Sequence, residues 1–151
     1  MPKSARLLLV LPALLVASCS LFSEDDVSEV ALHQGLWERL GYDTYEYDLA
    51  VWCFCKPAVG LVRIHVRADT VHTATVLETG APLEAHQLWR AKTIDELFDI
   101  VLDADENADE LDITYDDTFH YPSSVWIDYL KEAVDEEIRY EAENFRPLRG
   151  P

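Results

Sequence analysis

The chain has 151 residues, with 12 Lys and Arg against 29 Asp and Glu, a formal charge of −17 and a pI near 4.4. Such a surface excludes a general nucleic-acid binder, which needs basic groups to displace counterions from phosphate, and excludes adhesion to anionic lipid through a polybasic patch. With 49% apolar and 11% aromatic residues the chain is too hydrophobic to stay disordered, and its length suits a single domain.

At the N-terminus Lys3 and Arg6 form a positive leader. Leu7 to Val16 is an apolar run of the size of a secretion signal, too short to span a bilayer. It ends in Val16-Ala17-Ser18-Cys19, which resembles the lipobox of bacterial lipoproteins. That resemblance implies that residues 1–18 are a signal peptide and that Cys19 is acylated, anchoring the mature chain to a membrane by more than one acyl chain. Ser20 stands where, by lipoprotein analogy, an aspartate would favour retention at an inner membrane. The expected location is therefore the bacterial cell envelope, and in an organism with two membranes the outer one, facing the periplasm. Loss of Lys3 and Arg6 with the signal takes the charge from −17 to −19.

Residues 19–27 read as an acidic tether, residues 28–146 as the globular domain and residues 147–151 as a tail. Val30, Leu36, Trp37 and Leu40 fall at helical spacing, with Gly41 as a natural stop. Tyr45, Tyr47, Leu49, Val51 and Cys53 alternate as a strand. Val62 to Val66 and Val71 to Leu77 read as a hairpin turning at Ala68-Asp69, and Gly80 to Leu88 as a loop. Thr93-Ile94-Asp95-Glu96 is a capping box opening a second helix, whose apolar face is Ile94, Leu97, Phe98, Val101 and Leu102. Leu111 to Tyr115, Val125 to Tyr129 and Ile138 to Phe145 are three further strands. The expected fold is α+β: one antiparallel sheet of five or six strands with two helices packed on one face. The order suggests two helix-plus-three-strand halves.

Trp37, Tyr45-Glu46-Tyr47, Cys53-Phe54-Cys55, Thr79-Gly80-Ala81-Pro82, Thr93-Ile94-Asp95-Glu96-Leu97-Phe98, Tyr121-Pro122 and Ile127-Asp128 occur in this order. Over Leu36 to Phe145 the chain resembles the domain of unknown function family 6174, found in secreted and lipid-anchored proteins. Two departures stand out: Ala68-Asp69 replaces a typical Asp-Gly turn, and His120 replaces the Gly before Tyr-Pro. The resemblance implies fold and location, and brings no activity.

Four sets of residues carry candidate chemistry. Cys53 and Cys55 are the thiols left once Cys19 is acylated. On a regular strand their Cα atoms would lie ~7 Å apart, at the limit for a disulfide, and a bend before Lys56-Pro57 would close the gap. A local structural disulfide is favoured over separate thiols or a redox or metal role, since Lys56 is the only adjacent cation and no Cys-x-x-Cys precedes a helix. A two-residue turn at Ala68-Asp69 would pair His65 with His72 on the solvent face, a weak zinc or copper candidate opposed by Arg63 and Arg67. Asp103 to Asp109 imitates the start of a calcium loop but has Ala108 and Thr114 where Gly and Glu are needed. Asp128 with Asp135-Glu136-Glu137 reads as a solvated face rather than a catalytic pair, and Ser123 and Ser124 have no positioned base.

The expectation is therefore a non-enzymatic acidic lipoprotein without a cofactor, binding a basic protein or peptide. The alternatives are a thiol-disulfide redox protein using Cys53 and Cys55, or a metal-binding module. Because 18 of the 29 acids lie between Asp95 and Glu143, the second half is expected to form an anionic pole, with the hairpin of Arg63 and Arg67 the least acidic region.

Overall fold

A computed structural model describes residues 28–56 and 58–148; the signal, Cys19 and the tether lie outside the described residues. Helix α1 (Glu29–Leu40) is capped by the Ser28 hydroxyl, which accepts from the Ala31 amide, and ends at Gly41 in the left-handed conformation. Three strands follow: β1 (Tyr45–Cys53), β2 (Val62–Arg67) and β3 (Thr70–Val76). The stretch expected to be a loop includes a 3₁₀ helix, Ala85–Arg90. Helix α2 (Ile94–Asn107) starts with the expected reciprocal capping box of Thr93 and Glu96. Strands β4 (Glu110–Tyr115), β5 (Pro122–Asp128) and β6 (Ile138–Pro147) complete the domain.

All six strands form one antiparallel sheet in the order β3-β2-β1-β6-β5-β4. Each half is thus a helix and a three-stranded meander, as expected. Counting outward from the central pair, however, the first half begins with its first strand and the second half with its last. With both helices on one face, the halves have mirror-related paths that no rotation superimposes.

The core lies between this sheet and the helices. It takes Tyr45, Tyr47, Leu49 and Val51 from β1, Val62, Ile64 and Val66 from β2, and Ile94, Leu97, Phe98 and Val101 from α2. Two contacts fix α2 against β1. The Tyr47 hydroxyl donates to the Lys92 carbonyl at 2.6 Å, and the Tyr45 hydroxyl accepts from the Ile94 amide at 2.9 Å.

One bulge is decisive for the core's far end. Asp48 pairs with Glu143 but Glu46 with Arg146, so β6 carries one extra residue at Asn144–Phe145. Asn144 takes φ 58°, a left-handed backbone that Asn tolerates better than most residues. The extra residue switches the core-facing positions from Tyr140 and Ala142 to Phe145, whose ring sits 4.7–5.7 Å from those of Trp37, Tyr42, Tyr45, Phe119 and Tyr121. The Asn144 amide also donates to the carboxylate of Asp48, 3.1 Å away and 1% exposed on the opposite face.

Asn144→Ala should therefore cost about 2 kcal/mol, from left-handed strain and a lost hydrogen bond to a buried anion. Asn144→Gly, which relieves the strain alone, should recover about half of it. Urea denaturation of the three proteins measures the difference; equal losses in both variants would show that the backbone conformation carries no cost.

Candidate functional site

A cleft of about 540 Å³ opens at the end of the domain where β1 begins. Its walls are the C-terminal turn of α1, the α1–β1 loop, the β2–β3 hairpin tip and the first turns of α2. Six carboxylates line it: Glu38, Asp43 and Asp69 from the first half, and Asp95, Glu96 and Asp99 from the second. Tyr42 supplies its aromatic surface, with the buried Trp37 behind it. Local chemistry explains the placement. Ala68 and Asp69 both have positive φ, 49° and 56°, the mark of a tight two-residue hairpin turn. The Asp69 amide donates to the Asp43 carbonyl at 3.1 Å, drawing the hairpin tip onto the α1–β1 loop. The Trp37 indole N–H donates to Asp95 Oδ1 at 3.1 Å, joining α1 to α2.

Electrostatics in the cleft are repulsive. Burial pushes the Asp95 carboxyl above its usual 3.8; the Trp37 hydrogen bond works the other way, and Asp69 and Asp99 add to the rise. The expected division into an anionic second half and a less acidic hairpin needs correction here. The cleft draws equally on both halves, because the hairpin tip folds against the start of α2. Arg63, moreover, is occupied on the open face, where it grips Asp48 through Nε at 2.8 Å and Nη2 at 3.0 Å.

The two cysteines come close together. Cys53 and Cys55 sulfurs are placed as a disulfide, with Cα atoms 5.1 Å apart, inside the range a bridge spans. Sequence reasoning missed their companion, Arg90 on the 3₁₀ helix, 4% exposed. Its Nη1 donates to the Val51 carbonyl at 3.0 Å and its Nη2 lies 3.1 Å from Cys55 Sγ. Its guanidinium also covers the Trp89 ring at 4.5 Å.

The histidine pair is not formed. The turn is the expected one, with Val66 opposite Val71, but His72 is an extra residue and His65 pairs with Thr73. Patterning is the cause: without this bulge Thr73 and Thr75 would face the core, and with it Ala74 and Val76 do. His65 lies 3.7 Å from Glu46 instead. His33 stacks on Tyr115 at 3.8 Å, with the His120 ring 5.7 Å from His33. Among the described residues no group of three or more His, Cys, Asp or Glu is placed to hold a metal ion.

Asp103, at the end of α2, accepts from the Tyr129 hydroxyl and the Asn107 amide. Asp128 accepts from the Leu130 amide and Ser123 donates to the Thr114 carbonyl, both local structural roles.

With this geometry, the chain belongs to a family of unknown function, DUF6174, whose model matches residues 29–147. No curated protein and no solved structure matches it. Asp69 and His120, at the positions where the resemblance implied glycine, have positive φ, 65° at His120. These are backbone positions where glycine carries no steric cost. No helix among the described residues is long and apolar enough to cross a membrane.

A stability test follows from the repulsion. A carboxyl raised in the fold contributes stability fully below the usual 3.8 and loses it as pH rises through the folded-state value. Asp95→Asn keeps an oxygen for the Trp37 indole and removes the charge. It should raise Tm slightly at pH 7, the gain vanishing toward pH 3; thermal melts across this range would contradict the assignment if the variant were less stable at neutral pH.

Proposed function

We propose that this protein is a lipid-anchored envelope protein, held by Cys19, whose acidic cleft binds a basic segment of a partner protein without catalysing a reaction. The observation that carries the reading is the convergence of six carboxylates and the Tyr42 ring on one open cleft. A Lys or Arg side chain entering it would relieve the repulsion among Asp69, Asp95 and Asp99, and both cations also favour an aromatic surface. Anchoring rests on the resemblance of Val16-Ala17-Ser18-Cys19 to a lipobox. Pull-down with the purified chain at low and high salt should capture a basic partner that salt releases. Asp69→Asn with Asp99→Asn should weaken it about tenfold or more. Capture that is indifferent to salt and to these changes would end the electrostatic reading. In parallel, Cys19→Ser should move the protein from the membrane to the soluble fraction.

A second reading, thiol-disulfide exchange at Cys53 and Cys55, has one observation in its favour: the Arg90 guanidinium beside Cys55 Sγ would favour a thiolate. Mass spectrometry with graded reductant decides it. Ready cycling under mild thiol would support exchange, and resistance would leave the bridge a structural one.

A further inference from the structure

The end of the domain away from the acidic cleft holds a second cavity, of about 350 Å³, where β1 ends and the β5–β6 loop passes. Trp52, Phe54 and Trp126 line it together with Arg139, Asp135 and Glu137. Trp52 pairs with Arg139, and Arg139 pairs with Trp126. The three side chains therefore share one level of the open face on adjacent strands. The Trp52 and Trp126 backbone positions stand two strand spacings apart, ~10 Å, with Arg139 on the strand between them.

Three observations mark this as a binding site rather than incidental exposure. Trp52 is 56% exposed and Phe54 70%, two large apolar side chains left in solvent next to each other. Their segment is held in place: Cys53 and Cys55 close on either side of Phe54, and Arg90 fixes the Val51 carbonyl just before Trp52. Finally, polar groups converge on the aromatic surface, with Arg139 Nε paired to the Glu141 carboxylate at 3.0 Å and four N–H groups carried on its terminal nitrogens.

Charge decides the ligand. A chain of −17 repels anions such as nucleotides and phospholipid headgroups. Arg139, on the strand between those of the two indoles, opposes a cation on the aromatic surface. What remains is an uncharged ligand with flat C–H faces to stack on indole and hydroxyl edges that both donate and accept. We propose that this cavity binds a neutral saccharide chain. Alternate sugars stack on Trp52 and Trp126, whose separation matches the two-sugar repeat of a β-1,4-linked chain, while Arg139, Asp135 and Glu137 bond the hydroxyl edges. The site shares no residue with the acidic cleft, so the two readings stand or fall separately.

The test is a titration of the full-length chain in detergent with two neutral probes, a β-1,4-linked N-acetylglucosamine tetramer and cellotetraose, read by tryptophan fluorescence and calorimetry. Binding of either in the micromolar to millimolar range, unchanged in high salt, is expected. Trp52→Ala, at an exposed position, should weaken it about tenfold, and Arg139→Ala should weaken it as well. Trp126→Phe, a milder change at a half-buried position, should weaken it less than Trp52→Ala. Asp69→Asn in the acidic cleft should leave it unchanged. No binding of either probe at millimolar concentration would overturn the proposal, as would binding that survives Trp52→Ala with Arg139→Ala. A basic peptide that displaces the sugar probe only at low salt would show protein docking here and overturn it too.

Discussion

Two tyrosine hydroxyls hold the cleft end of this domain together. Tyr45 and Tyr47 lie two residues apart on β1, so both rings point into the core, and both are fully buried. A hydroxyl taken out of water must find a partner or cost about 1–3 kcal/mol. The partners are the backbone groups of Lys92 and Ile94, on either side of the Thr93 cap. This ties the start of α2 to the start of β1 at a fixed height above the sheet. Asp95, Glu96 and Asp99 consequently face Asp43 and Asp69 across the cleft. Burial raises both phenols well above their ordinary 10.0, so they remain neutral donors and acceptors wherever the protein works.

The sheet is phased by bulges. Single extra residues at His72, Ser123 and Asn144 interrupt the pairing of three strands. Each shifts the side-chain alternation so that apolar residues beyond the bulge return to the helix-covered face. The open face receives what remains. There Asp48, although 1% exposed, accepts two bonds from Arg63 and one from Asn144. A buried anion with three donors restricts how β1, β2 and β6 can align, since any slip would strand its charge.

Much of this was legible in the residues. Apolar spacing and the Thr93–Glu96 box fixed both helices, and alternation located all six strands, because those signals are local. The hairpin turn was also legible, whereas the facing of His65 by His72 was not. A bulge adds one residue without a composition cue, and only the buried pattern of Ala74 and Val76 betrays it. Neither cavity could be read from the chain. The acidic cleft joins residues from 37 to 99, and the aromatic level needs the β1·β6·β5 order, which local patterning does not supply. Arg90 escaped notice for a related reason: a lone arginine in an apparent loop gives no sign that it will be buried against a carbonyl and a sulfur.

The central strand pair carries a consequence for the timing of folding. β1 and β6 come from opposite ends of the domain, joining residues 45–53 to 138–147. Contacts so distant in sequence form late and make folding slow. During synthesis the first helix and its meander can gather, but β1 keeps an unpaired edge until β6 has emerged almost entire. A domain built this way stays unfinished until its last strand has been made. The sheet cannot close before both ends of the domain are present, so the two halves wait on each other.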